Sequence, residues 1–267
     1  MMKSFLNWRQ LIPTLFTLAA MLCGLLSILY VVQGFHGEDP AHWYRLSAKM
    51  IMLAMILDGL DGNVARWLKG SSEFGAELDT YVDMTAFGIA PAVLIFAVTM
   101  ETQDSILRIL LPSVVVLSGV VRLARFKVTD PLRGQGGYSG LPITTNAAWV
   151  AMLVYISQVP TSENIAGGVF SLQGGWFAML FLVGIIVFIS LQVSNVRFPK
   201  PTKKAALFIP CVILVMLFVY LEKGSAAYVA VLMLGMGLLY VMLGPLFVRG
   251  IERHKARREG PASEDCE

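Results

Sequence analysis

Apolar runs of bilayer-crossing length recur from one end of this 267-residue chain to the other. A crossing helix needs roughly 17–25 predominantly apolar residues. The sequence offers eight such stretches, at residues 11–33, 46–67, 76–99, 106–126, 141–159, 174–194, 205–222 and 226–248. In lipid every backbone polar group must find an internal partner, so spans of this kind fold as helices. The expected fold is therefore all-α: a polytopic integral membrane protein of about eight transmembrane helices. One transmembrane domain covers residues 1–248, and a tail covers 249–267. Composition agrees, since 15% of residues are charged and 56% are hydrophobic, whereas soluble domains carry about 25% charged residues.

The first span is too long for a signal-peptide core and lacks a clear small-residue cleavage site, so it reads as a retained helix. With both termini on one side, that side holds every basic residue except Arg45, Lys49, Arg108 and Lys223. The positive-inside rule then places both termini in the cytoplasm of a multi-pass inner-membrane protein. Basic loops against anionic headgroups account for the net charge of +3. No soluble basic module is visible, so a nucleic-acid role is not expected. Cys23, Cys211 and Cys266 lack metal-ligand spacing and read as buried thiols where they lie in spans. His36 and His42 flank an external loop and read as solvated. The tail turns from basic to acidic, as a helix end that finishes disordered would.

Four aspartates interrupt this apolar pattern within residues 58–83: Asp58, Asp61, Asp79 and Asp83. A charge at a helix centre in the bilayer costs about 2.5–3.5 kcal/mol on insertion scales, and clustered carboxylates need protons or cations. Asp58 and Asp61 are three residues apart, and Asp79 and Asp83 four, so on helices each pair shares a face. The short polar WLKGSSEFG segment between them turns the chain back, bringing the pairs together at the cytoplasmic boundary. Oxygen-only ligands suit hard cations such as Mg²⁺ or Mn²⁺. Four carboxylates can hold two ions, a known arrangement for phosphoryl displacement. Gly59, Gly62, Ala65, Gly75 and Ala76 leave room for a ligand against the backbone. Arg66 and Ser72 can reach a phosphate oxygen.

The pattern Asp58-x-x-Asp61-Gly62-x-x-Ala65-Arg66, eight residues, Gly75, three residues, Asp79, three residues, Asp83 resembles the signature of the CDP-alcohol phosphotransferases at each fixed position. The resemblance implies membrane enzymes that move a phosphatidyl group from a CDP-linked donor to an alcohol and release CMP. By that resemblance Asp58, Asp61, Asp79 and Asp83 are metal ligands, and Asp83 is also the general base. Thr17, Gly62, Ala65, Arg66, Ser72 and Gly75 fall at donor-binding positions. Pro13 and Thr17 match the family's entry to its first helix, where Thr14 replaces an asparagine.

Residues 72–92, RLARF at 122–126 and YSGLP at 138–142 resemble the phosphatidylserine synthase branch. That branch implies CDP-diacylglycerol and L-serine as substrates, two Mg²⁺ or Mn²⁺ ions, membrane lipid as surroundings and a homodimer. Arg122 and Arg125 are candidates for the donor phosphates or the serine carboxylate, with membrane anchoring as the alternative. Lys127 and Arg133 read as anchors or a headgroup-attracting patch. Other acceptors, namely glycerol 3-phosphate, inositol phosphate or choline, would use the same chemistry. A cation-coupled transporter would instead spread its ionisable groups through several spans.

Overall fold

The structure, a computed structural model, describes residues 7–99, 105–129, 137–160, 170, 172, 175–199 and 205–258. Helices α1 (Trp8–His36) and α2 (Pro40–Trp67) form an antiparallel pair. Helix α3 (Glu73–Asp83) runs through a π-helical turn (Met84–Ile89) into α4 (Ala90–Thr99). Helices α5 (Ser105–Thr129), α6 (Ile143–Ser157), α7 (Gly175–Val193), α8 (Ala205–Tyr220) and α9 (Lys223–Arg258) follow. Strands β1 (Gly137–Ser139) and β2 (Arg197–Pro199) pair antiparallel, Tyr138 opposite Phe198. This short ladder, which the sequence reading did not anticipate, ties the segment before α6 to the segment after α7.

Each predicted span falls on a helix, and the chain is an all-α polytopic membrane protein. Among the described residues, five helices are long and apolar enough to cross a bilayer: Trp8–His36, Glu73–Thr99, Ile106–Val128, Gly175–Val193 and Lys223–Leu246. Helix α2 has 28 residues but carries charge towards both ends. Helices α6 and α8 are apolar and shorter, at 15 and 16 residues. Helix α9 continues past the eighth span to Arg258, so the first part of the expected tail is helical. Cys266 and Arg133 lie outside the described residues.

Packing in this fold is inside-out relative to a soluble bundle. On α1, Thr14, Thr17, Ala20, Gly24, Ser27 and Gly34 face inward, whereas Leu11, Leu15, Leu18, Leu22, Leu25 and Leu29 are exposed. Small residues let helices approach closely where lipid competes equally for large apolar side chains. The α1–α2 seam includes a buried hydrogen bond between the hydroxyls of Ser27 and Ser47, 2.8 Å apart. Cys23 is buried as expected, whereas Cys211, on α8, is exposed.

Two cations assigned to the external surface turn out to be buried. Arg45 donates to the carbonyl of Gln158, the C-cap of α6, and Lys49 Nζ donates to the carbonyl of Leu221 just past α8. Lys49 also lies 5.8 Å from the centre of the Tyr155 ring. Helix C-termini carry orphan carbonyls and partial negative charge, which these cations satisfy. Lys49→Met should therefore lower stability by about 1–3 kcal/mol, the cost of an unsatisfied buried carbonyl. Thermal denaturation in detergent reads this loss.

Candidate active site

The turn between α2 and α3 builds one wall of the site. Helix α2 ends in a Schellman motif: Gly70 N–H donates to Ala65 O at 2.9 Å and Lys69 N–H to Arg66 O at 3.3 Å. The left-handed residue is Lys69, with φ +52°, where glycine is the usual choice. Glycine comes one position later because Gly70 packs on α1. A Cβ there would stand 2.0 Å from the carbonyl oxygen of Arg9. That carbonyl has no helical donor because Pro13, four residues on, lacks an N–H. Gly70→Ala should force the turn off α1 and, as overpacking does, lower stability by about 1–3 kcal/mol or more. Thermal denaturation in detergent checks this, and unaltered stability would refute the docking argument.

Ser72 starts α3 as its N-cap, its hydroxyl oxygen accepting the Gly75 N–H at 3.0 Å. The hydroxyl hydrogen stays available to a ligand. The N-terminus of α3 presents further N–H groups and positive dipole on the same side, as anion sites do.

Between α1, the C-terminal half of α2 and the start of α3 lies a cavity of about 200 Å³. Of the sequence-predicted residues, Thr17, Asp61, Gly62, Ala65, Arg66, Ser72, Gly75 and Asp79 line it, and so does Thr14. Gln10, Gly70, Ser71 and Ala76 also line it; of these, the sequence pattern singles out Ala76 alone, as a small neighbour of the carboxylates. Gln10 had a readable signal, since it lies one turn before Thr14 on the same face of α1. Gly62 is unconstrained by the protein: a Cβ there would meet only the Arg66 guanidinium, at 3.7 Å. A glycine in mid-helix costs about 1 kcal/mol against alanine, so its rationale lies on the cavity side.

Asp58, Asp61 and Asp79 each direct a carboxylate oxygen to a common point, the three lying within 4.8 Å of one another. Asp61 is buried, and its Oδ2 has no hydrogen-bond partner among the described residues. Thr17 lies against the same carboxylate, while its hydroxyl donates to Pro13 O at 3.1 Å. An orphaned buried carboxylate oxygen inside an all-oxygen donor set fits a hard divalent cation. Asp83 stands at the end of α3, outside this triad of oxygens, with Asp58, Asp79, Arg122 and Asp61 as its charged neighbours. The π-helical turn begins at the next residue. Such turns interrupt α-helical register and recur at functional sites.

The RLARF arginines are not brought together. Arg122 is buried, 5.7 Å from the Phe126 ring and in electrostatic reach of Asp83. Arg125 instead donates to the carbonyls of Val193 at 2.6 Å and Ser194 at 2.7 Å, and also to Ser139 O and Asn195 Oδ1 at 3.3 Å. Its guanidinium is a clasp between the C-terminus of α7 and strand β1. Lys127, read from the sequence as an anchor or part of a headgroup-attracting patch, also pairs with Glu77 of α3 at 2.5 Å in a partly exposed salt bridge.

The family described as CDP-alcohol phosphatidyltransferase matches residues 10–188, from the N-terminal turn of α1 into α7. The chain belongs to that family. Within the family, it is 28% identical over 243 residues to the CDP-diacylglycerol–serine O-phosphatidyltransferase of Helicobacter pylori (strain ATCC 700392 / 26695), covering 91% of this chain and 94% of that one. The Saccharomyces cerevisiae (strain ATCC 204508 / S288c) protein of the same name is 35% identical over 169 residues, 60% of each chain. An archaetidylserine synthase from Methanothermobacter thermautotrophicus is 28% identical over 194 residues, 71% of this chain and 70% of that one. The family match covers every element that lines the cavity, whereas α8 and α9 lie beyond it.

Proposed function

We propose that this chain transfers the phosphatidyl group of CDP-diacylglycerol to L-serine, forming phosphatidylserine and CMP at the cytoplasmic face of the cell's inner membrane. The observation that carries the reading is the convergence of Asp58, Asp61 and Asp79 beside a cavity rimmed by Gly62, Arg66 and Ser72. The names of the relatives support serine as the acceptor. The distribution of basic residues supports the cytoplasmic placement of both termini.

Asp58, Asp61, Asp79 and Asp83 would hold two Mg²⁺ or Mn²⁺ ions. Once bound, such ions neutralise the donor pyrophosphate and the charge that develops on the departing phosphate. Arg66 and the Ser72 hydroxyl bind phosphate oxygens, and the glycines admit the nucleotide to the helix backbone. Asp83 takes the proton from the serine hydroxyl as its oxygen attacks the β-phosphorus. The new serine O–P bond forms as the P–O bond to CMP breaks, and the proton stays on Asp83. Arg122, in electrostatic reach of Asp83, would receive the serine carboxylate. Arg125 acts as the clasp described above.

The acyl chains need a lateral exit, and an apolar groove of about 480 Å³ between α4 and α5 offers one. Ile89, Val93, Phe96, Ile109, Pro112 and Leu117 line it, in the stretch of chain between Asp83 and Arg122. A homodimer belongs to this reading through the family resemblance. The test is CMP release by purified protein with CDP-diacylglycerol and Mn²⁺, across serine, glycerol 3-phosphate, inositol phosphate and choline. Release that requires serine is the expected result. Release with another alcohol would keep the chemistry and change the acceptor, and no release from folded protein would overturn the reading.

A further inference from the structure

Asn63 fills one of the variable places in the signature, between Gly62 and Ala65, and does not itself line the cavity. Its side chain is nonetheless held at both ends. Nδ2 donates to the Gly59 carbonyl at 2.7 Å, and Oδ1 accepts from an Arg66 terminal nitrogen at 2.9 Å. The first bond fixes the amide orientation, because the nitrogen end is committed to a backbone acceptor. The second draws the Arg66 guanidinium back along α2. It comes to lie over Gly62, with its two terminal nitrogens 3.7 and 4.0 Å from where a Cβ would stand.

Arg66 is exposed, and a free arginine at a helix end samples many rotamers, with about 2 kcal/mol of side-chain entropy. The tether removes part of that freedom before any ligand arrives. It also points the guanidinium at the stretch of backbone that glycine keeps open, beside Asp61. We infer that Asn63 is a positioning residue. It preorganises Arg66 for the phosphates of a cytidine diphosphate donor, and so tunes affinity for the nucleotide part of the substrate without touching it. This rests on the donor assignment above and adds a residue to it.

A double-mutant cycle tests the inference: wild type, Asn63→Leu, Arg66→Ala and the double variant, with leucine chosen to keep the branching at Cγ while removing both polar ends. Asn63→Leu should lower kcat/KM for CDP-diacylglycerol about 5–10-fold, the scale of one charge-assisted hydrogen bond used for orientation. The inhibition constant of CMP should rise by a similar factor, while KM for serine stays within about twofold. In the Arg66→Ala background the same substitution should change neither donor constant by more than about twofold, since coupled residues are non-additive. An equal loss in both backgrounds, or a rise in serine KM matching the donor effect, would overturn the inference. It would then be a general packing effect at α2. Wild-type protein that neither turns over CDP-diacylglycerol nor is inhibited by CMP would overturn the donor assignment, and this inference with it.

Discussion

Asp83→Asn is expected to reduce turnover by about 10²–10⁴-fold, the range over which a positioned general base contributes. Asp58, Asp61 and Asp79 converge without Asp83, so the variant should still bind CDP in a divalent-dependent way. Asparagine keeps the size and polarity of the side chain at the junction of α3 and the π-helical turn, and cannot accept the serine proton. Of the four aspartates, Asp83 is the one outside the triad of converging oxygens, and Arg122, proposed above to receive the acceptor carboxylate, is in its electrostatic reach. Single-turnover measurement separates chemistry from product release. Near-normal turnover in this variant would remove Asp83 from the role of base.

Asp61→Asn should be comparably severe for a different reason. Asp61 is buried at 7% exposure, shares the triad, and lines the cavity. Losing it removes charge at the centre of the proposed ion site, with an expected fall in activity of at least ~100-fold, as when a preorganised electrostatic partner is deleted. CDP binding should no longer strengthen when Mn²⁺ is added. Without metal, the wild-type cluster holds several carboxylates against mutual repulsion, a strain typical of functional sites. The metal-free variant should therefore be at least as stable to heat as metal-free wild type. That result would show that lost activity is not lost folding. Mn²⁺-dependent nucleotide binding at the wild-type level would contradict the assignment.

Much of this site was legible because its signals are local. Carboxylates at i, i+3 and i, i+4 share a helix face whatever surrounds them, and a polar nine-residue linker between apolar runs reverses direction. The cavity residues Gly62, Arg66 and Gly75 belong to the same signature, and Ser72 lies in the polar linker within it. What escaped the sequence depends on distant contacts. Arg122 and Arg125 have the spacing of a shared face, yet one turns to Asp83 and the other clasps carbonyls near residue 194. Nothing within five residues of Arg125 encodes that partner. Arg45 and Lys49 looked like loop charges because the helix ends they cap, at Gln158 and Leu221, are more than a hundred residues away. The turn glycine was displaced from Lys69 to Gly70 by α1, which local turn rules do not see. Helix count is the least local property: α2, α6 and α8 depart in charge or length from a standard span.

The central claim is that the aspartates form a divalent-cation site that binds the donor pyrophosphate. Anomalous diffraction from crystals grown with Mn²⁺ and CDP tests it directly. The account predicts two manganese peaks among Asp58, Asp61, Asp79 and Asp83, with the CDP phosphates between those ions and Gly62, Arg66 and Ser72. Manganese absent from these carboxylates, or nucleotide bound away from this cavity, would contradict it.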